Sequence, residues 1–221
     1  MLEKAELTLI IMLSKTKKVI TTHLIVLCSV ASRKLFYSIA WRVGTLSLQF
    51  VPPAEGGGME IIMSDVLDFR YAERKDAGLI LKFIKDLAKY EKMENEVIAT
   101  EALLKEWIFD KQKAEVIFAL KDGKEVGFAL FFHNFSTFLG RAGIHLEDLY
   151  VMPKHRGFGY GRAILRKLAQ IAVERGCGRL EWWCLDWNKP SIDFYLSLGA
   201  EPMSDWTVYR IAGDTLNKLA E

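Results

Sequence analysis

Cysteine, proline and charge of one sign are all scarce in this chain. The three cysteines, Cys28, Cys177 and Cys184, are an odd number with no CxxC pair and no pair of histidines close by. That argues against a disulfide framework and against a zinc or other metal site of familiar spacing, and it suits a reducing, cytoplasmic setting. The formal net charge is only +2, with acids and bases interspersed along the sequence. The basic footprint of a nucleic-acid binder is therefore missing. Long apolar runs are lacking too. VITTHLIVLCSVAS, broken by His23 and two threonines, offers about 14 residues where a membrane span needs roughly 20. No membrane span is expected, and no repeat or low-complexity stretch is present.

What is present suffices for one packed domain: 221 residues, 51% of them hydrophobic. Residues 1–62 differ from the rest, being apolar and basic, rich in Ser and Thr, and without a steady period. Three readings compete for them. EGGG is encoded by purine-rich codons resembling a bacterial ribosome-binding site, and Met59 and Met63 follow closely, so this stretch reads as a translated upstream region before the true start. Basic, acid-poor composition also fits a targeting segment, and a structural or disordered extension is the third reading. The expected domain is 63–221.

From Asp65 onward the patterns become regular. DFRYAE alternates like a strand, and Asp76 then reads as the N-cap of a helix over DAGLILKFIKDLAKYEKM. TEALLKEWIFD reads as a short helix capped by Thr100. Asp122 and Gly123 join two strands in a hairpin, since a tight two-residue turn needs residues that tolerate positive φ. AGIHLEDLYVMP reads as a long strand closed by Pro153, with a helix from about 158 to 175 after it. A strand over RLEWWCLDW, a helix over PSIDFYLSLG ended by Gly199 and a strand over DWTVYRIA complete the order. Such an order predicts an α/β domain with a mixed central sheet flanked by helices.

The stretch HRGFGYGRAIL carries the chemistry. A turn leading from a strand into a helix aims main-chain N–H groups and the positive end of the helix dipole outward, and glycine allows a ligand close to that backbone, which suits phosphate. An ATPase loop is excluded because no GK[ST] is present. Gly157, Gly159 and Gly161 give GxGxG rather than GxGxxG, so a dinucleotide fingerprint is absent as well.

Arg156, Gly159 and Gly161 instead form R-x-x-G-x-G after LEDLYVMP. This resembles the signature of the GCN5-related N-acetyltransferase (GNAT) family. LAKYEKMENEVIATE, LEDLYVMPKHRGFGYG and LDWNKPSIDFYLSLGA resemble its spermidine/spermine and thialysine N-acetyltransferase branch over about residues 66 to 221. The resemblance implies the GNAT fold and acetyl-CoA as co-substrate, with no metal. It implies coenzyme contacts from Leu149, Tyr150 and Val151 through main chain, from Arg156, Gly157, Phe158, Gly159, Tyr160, Gly161 and Arg162 at the pyrophosphate, and from Asn188 and Ser191. A homodimer is implied by the same resemblance alone.

The reaction needs three devices. A developing oxyanion needs main-chain donors, which the family takes from the strand at Leu149, Tyr150 and Val151. The thiolate leaving group needs a proton; a lone Tyr in an apolar helix reads as core, but Tyr195 matches the family's acid. A cationic amine must lose a proton before it attacks. Glu147 and Asp148 occupy successive strand positions, so strict alternation sends them to opposite faces, and correspondence with the family favours Glu147 for that role. Tyr90, Glu91, Trp182, Trp183 and Asp205 match substrate-lining positions, and two indoles narrowing the channel tell against full-length spermine. The expected activity is acetylation of a primary amine on a small diamine, polyamine or lysine-like molecule by direct transfer in a ternary complex. Acetylation of an amino-acid or protein amine and a non-catalytic acyl-CoA-binding module are the alternatives.

Overall fold

The computed structural model describes residues 67–221. The readings made for residues 1–62, including Met59 as a start, and that of Met63 lie outside the described residues. Two compact units divide at Glu181 and Trp182, and each is described by itself.

The first unit is built on a sheet. Strand β1 (Asp68–Tyr71) leads through a short 3-10 turn into helix α1 (Ala77–Tyr90). Helix α2 (Glu101–Leu104) starts on Thr100, whose hydroxyl accepts from the Leu103 N–H at 3.2 Å, and continues as a π-helical turn over Lys105–Asp110. Strands β2 (Glu115–Lys121), β3 (Lys124–Ser136) and β4 (Arg141–Val151) follow, then helix α3 (Tyr160–Glu174) and strand β5 (Leu180–Trp182). The sheet order is β5-β4-β3-β2-β1. Pairing from β1 to β4 is antiparallel. Gly178 donates to the Ala142 carbonyl and Ile144 to that of Arg179; both partner numbers rise together, so β5 enters parallel to β4 and the sheet is mixed. Asp122 (φ 51°) and Gly123 (φ 72°) make the expected hairpin, with Lys121 opposite Lys124.

Each face of the sheet carries a helix. Ile80 and Phe83 of α1 pack on Val116, Phe118, Phe128 and Tyr150, and the Phe83 and Phe128 rings stack at 5.3 Å. Burying a side chain such as Phe83 contributes about 1.5–3 kcal/mol. Side chains alternate along β3, so Gly127 turns to the opposite face, where α3 lies. A Cβ on Gly127 would come within 2.6 Å of the Tyr150 carbonyl oxygen and 3.3 Å of Ile164 Cδ1, so only glycine admits this close approach.

Asp76 is not the side-chain cap of α1. Its carboxylate accepts from the Glu73 N–H at 2.7 Å and from both terminal nitrogens of Arg70, because the 3-10 turn sets Asp76 at the third position of a capping box begun by Glu73.

In the second unit, helix α4 (Lys189–Leu196) closes on Gly199 in the left-handed region, and helix α5 (Asp214–Ala220) was not foreseen. The strand expected over RLEWWCLDW shrinks to Leu180–Trp182, since the chain turns at Asn188, whose N–H reaches the Leu185 carbonyl. DWTVYRIA forms no strand among the described residues, all of Glu201 onward being exposed; alternation without a ladder partner does not make a strand. Among the described residues no helix is long and apolar enough to cross a membrane.

Candidate active site

After Val151 the chain makes a 3-10 turn (Pro153–His155) and reaches Gly157 (φ 81°) and Gly159 (φ 79°). Both glycines are in the left-handed region, and a Cβ on either would meet nothing within 4 Å. The turn is therefore bare for conformational reasons and open to solvent. Gly159 immediately precedes α3, and the first helical bond runs from the Ala163 N–H to the Gly159 carbonyl at 3.0 Å. Helix geometry then aims the N–H groups of residues 160–162 out of the helix start, with the positive dipole end behind them. Arg162 is exposed, Phe158 is 61% exposed, and the buried Tyr160 ring lies 5.9 Å from that of Phe158. A glycine cradle on a helix of this length fits a diphosphate.

The end of β4 supplies outward donors. The Met152 N–H bonds inward to the Val126 carbonyl of β3 at 2.9 Å. Alternation turns the main-chain groups of Tyr150 the same way and those of Leu149 and Val151 to the opposite edge. The Val151 carbonyl confirms the direction, accepting from Arg156 Nε at 2.8 Å. β5 ends at Trp182 after three residues, whereas β4 runs on to Val151. Of the three residues expected to donate, Leu149 and Val151 therefore present their N–H groups outward. Tyr150 points its N–H at β3 and its ring into the core.

The acids depart from strict alternation. Leu146 pairs with Phe131 and Asp148 with Leu130, so Glu147 is an extra residue, a β-bulge. His145, opposite Phe132, and Asp148, opposite Leu130, consequently share the α1 face although three residues apart. Glu147 is exposed and its carboxylate lies 3.8 Å from His145 Nε2. The expectation that Glu147 and Asp148 face opposite sides is thus overturned by the bulge. Burial first, then the charges of Glu147 and Glu91, push the Asp148 carboxyl up to about 7. Burial likewise raises Glu91 above the ordinary carboxylate range. Asp148 is the residue set aside when correspondence with the family favoured Glu147.

Tyr90 and Glu91 close α1, and the Arg156 guanidinium lies 4.7 Å over the Tyr90 ring. In the second unit Asn188 is buried at the start of α4, and its carbonyl accepts from the Ser191 and Ile192 N–H groups at 3.0 Å. Tyr195 is half-buried, its ring 5.0 Å from Trp182 and 5.4 Å from Phe194. Trp183 is 58% exposed, and Asp205 is exposed on an irregular stretch.

Residues 81–200, more than half of the 221, match the Acetyltransferase (GNAT) family. The matched span includes the bulge, the glycine turn and Tyr195, and leaves out Asp205. The thialysine N-epsilon-acetyltransferase of Bos taurus is 36% identical over 163 residues, 68% of this chain and 95% of that protein. Spermidine/spermine N(1)-acetyltransferase-like protein 1 of Homo sapiens is 30% identical over 174 residues, 74% of this chain and 25% of that protein. An integron cassette protein from the mobile metagenome of V. cholerae has a TM-score of 0.60 at 27% identity, covering 70% of this chain and 98% of its own. The mixed sheet, the glycine turn at the start of α3 and these relatives agree: the chain belongs to the GNAT family of N-acetyltransferases.

Proposed function

We propose that this acetyltransferase moves the acetyl group of acetyl-CoA directly onto a primary amine of a small diamine, polyamine or thialysine- or lysine-like molecule, within a ternary complex. The observation that carries the proposal is the order along one stretch, 147–161. A carboxylate pair, two outward main-chain donors and a glycine cradle follow one another on a single strand and turn.

In this reading the main chain of the turn and of residues 160–162 takes the pyrophosphate, with Arg162 beside it. Asn188 and Ser191 contribute to coenzyme binding by resemblance to the family. The amine arrives as a cation, and Glu91, Glu147 and Asp148 attract it. One of the last two, directly or through water, takes its proton. The neutral nitrogen attacks the thioester carbon, and the oxyanion is stabilised by the Leu149 or Val151 N–H. As the carbon–sulfur bond breaks, Tyr195 gives its proton to the departing thiolate, and the attacking nitrogen passes its second proton to the tyrosinate, directly or through water, which leaves CoA and an acetamide and restores Tyr195. Tyr90, Trp182, Trp183 and Asp205 are proposed to line the amine's path. A homodimer belongs to the same proposal on the family resemblance alone, and a cytoplasmic setting on the cysteine usage.

The test is CoA release by purified protein from acetyl-CoA over a panel of thialysine, lysine, diamines, spermidine, spermine and neutral amino-acid esters. Release with the dicationic or lysine-like amines supports the proposal. Preference for neutral esters would shift the function to amino-acid or protein amines. Binding of acetyl-CoA without release on any amine would make the chain a binding module.

A further inference from the structure

Within that reading, we infer that Arg156 is a positioning residue that ties the glycine turn to the end of α1, so that filling the turn and setting Tyr90 and Glu91 are one event. Its main chain belongs to the turn: its N–H bonds the Pro153 carbonyl at 3.2 Å, and Gly157 follows directly. Its side chain leaves the turn altogether. Nε donates to the Val151 carbonyl at 2.8 Å, and the guanidinium face lies 4.7 Å from the Tyr90 ring and 5.4 Å from the Tyr150 ring.

Arginine suits this place for a physical reason. Its planar fork gives one N–H to a carbonyl while its face remains available to aromatic rings, whereas a lysine ammonium is a point charge that does one or the other. Two elements meet on this one side chain: β4, through the Val151 carbonyl on its outward edge and the core-facing Tyr150 ring, and α1, through its last residue. Glu91 is the next residue after Tyr90, its N–H fixed to the Leu87 carbonyl at 2.9 Å, and its carboxylate acts on Asp148.

A diphosphate seated on residues 157–162 fixes the Arg156 main chain. The bonded guanidinium then holds the Tyr90 ring, and the ring fixes the place of Glu91. Coupling of this kind is reciprocal, so damage at Tyr90 must be felt at the coenzyme.

The experiment is calorimetric titration of the full chain with acetyl-CoA, without amine, for wild type, Tyr90→Leu, Tyr90→Phe, Arg156→Lys and the Tyr90→Leu/Arg156→Lys double variant. Tyr90→Leu and Arg156→Lys are each expected to raise Kd by about three- to tenfold. Tyr90→Phe keeps the ring under the guanidinium and is expected to lose less affinity than Tyr90→Leu, and the double variant should be no weaker than the worse single. Amine KM, measured at saturating acetyl-CoA, should rise in Arg156→Lys although that residue does not touch the amine. An unchanged Kd in Tyr90→Leu, or penalties that add in the double variant, would overturn the coupling while leaving the proposed reaction in place. A wild type that does not bind acetyl-CoA would overturn both.

Discussion

Two carboxylate clusters sit on this sheet, and the same residue type is pushed in opposite directions in them. Beside β1, Asp76 and Glu125 share the Arg70 guanidinium, with contacts of 2.7 Å from each. The arginine's hydrogen bonds hold both carboxyls below their ordinary range. At the other side, what acts on Asp148 is burial and two further carboxylates, and its carboxyl rises to about 7. The first cluster is neutralised from within and closes the entry to α1. The second gathers like charge, and in the proposed reaction the arriving cation supplies the missing opposite charge. Acids that hold a fold carry their own partner; acids that serve a ligand wait for one.

Five variants sharpen or break that contrast. The largest effect is expected at Tyr195, which belongs to the chemistry and not to the frame. Tyr195→Phe keeps the ring beside Trp182 and Phe194, so stability and acetyl-CoA affinity should hold while kcat falls by about 10- to 1000-fold. Wild-type turnover, with the chemical step limiting, would make Tyr195 a packing residue.

Next come the acids of the bulge. Glu147→Gln and Asp148→Asn should each lower kcat/KM for cationic amines by about 10- to 100-fold and leave acetyl-CoA binding intact. Equal loss on both substrates would make these carboxylates structural. Asp148 also gives a pH signature. Its folded-state carboxyl titrates near 7, well above an exposed aspartate. Between about pH 4 and 7 the folded chain therefore keeps a proton that the unfolded chain has lost, and stability falls as pH rises through that window, then levels. Asp148→Asn lacks this fall, so urea unfolding should show the variant gaining on wild type from pH 5 to pH 8, by up to about 3 kcal/mol.

Third, Arg70→Met strands two carboxylates and should cost about 2 kcal/mol at pH 7. Because Asp76 and Glu125 have lowered carboxyls, this contribution is present above the ordinary carboxylate range and is lost as pH falls through it. The penalty should shrink accordingly in acid, and turnover per folded molecule should not change. The smallest effect is expected in the turn. Gly159→Asp adds a Cβ at positive φ and a negative charge at the phosphate position, raising the acetyl-CoA Kd at least about tenfold in a chain whose circular dichroism matches wild type.

Much of this was legible where a residue type has one local use. Asp122 and Gly123 announced a hairpin because few residues tolerate positive φ twice in succession, and apolar residues at helical spacing in DAGLILKFIKDLAKYEKM announced a helix. Gly157 and Gly159 marked the turn because glycine lets a ligand come close to the backbone. Asp76 read as a cap because capping is local, whereas its partners Arg70 and Glu125 come together only when β1 and the hairpin fold. The bulge has no sign in Leu146, Glu147, Asp148 and Leu149, since it is fixed by register against β3. The R-x-x-G-x-G pattern pointed to the Arg156 main chain and said nothing of the side chain that reaches Tyr90.

The bulge also separates an acid from the ladder. Glu147 pairs with nothing on β3, and its neighbours Leu146 and Asp148 face consecutive residues, Phe131 and Leu130. One of the two carboxylates of the proposed chemistry therefore sits on a residue that contributes no rung to the sheet. Its side chain can change with little cost to β3–β4 pairing, so chemistry can be altered there while the fold is kept.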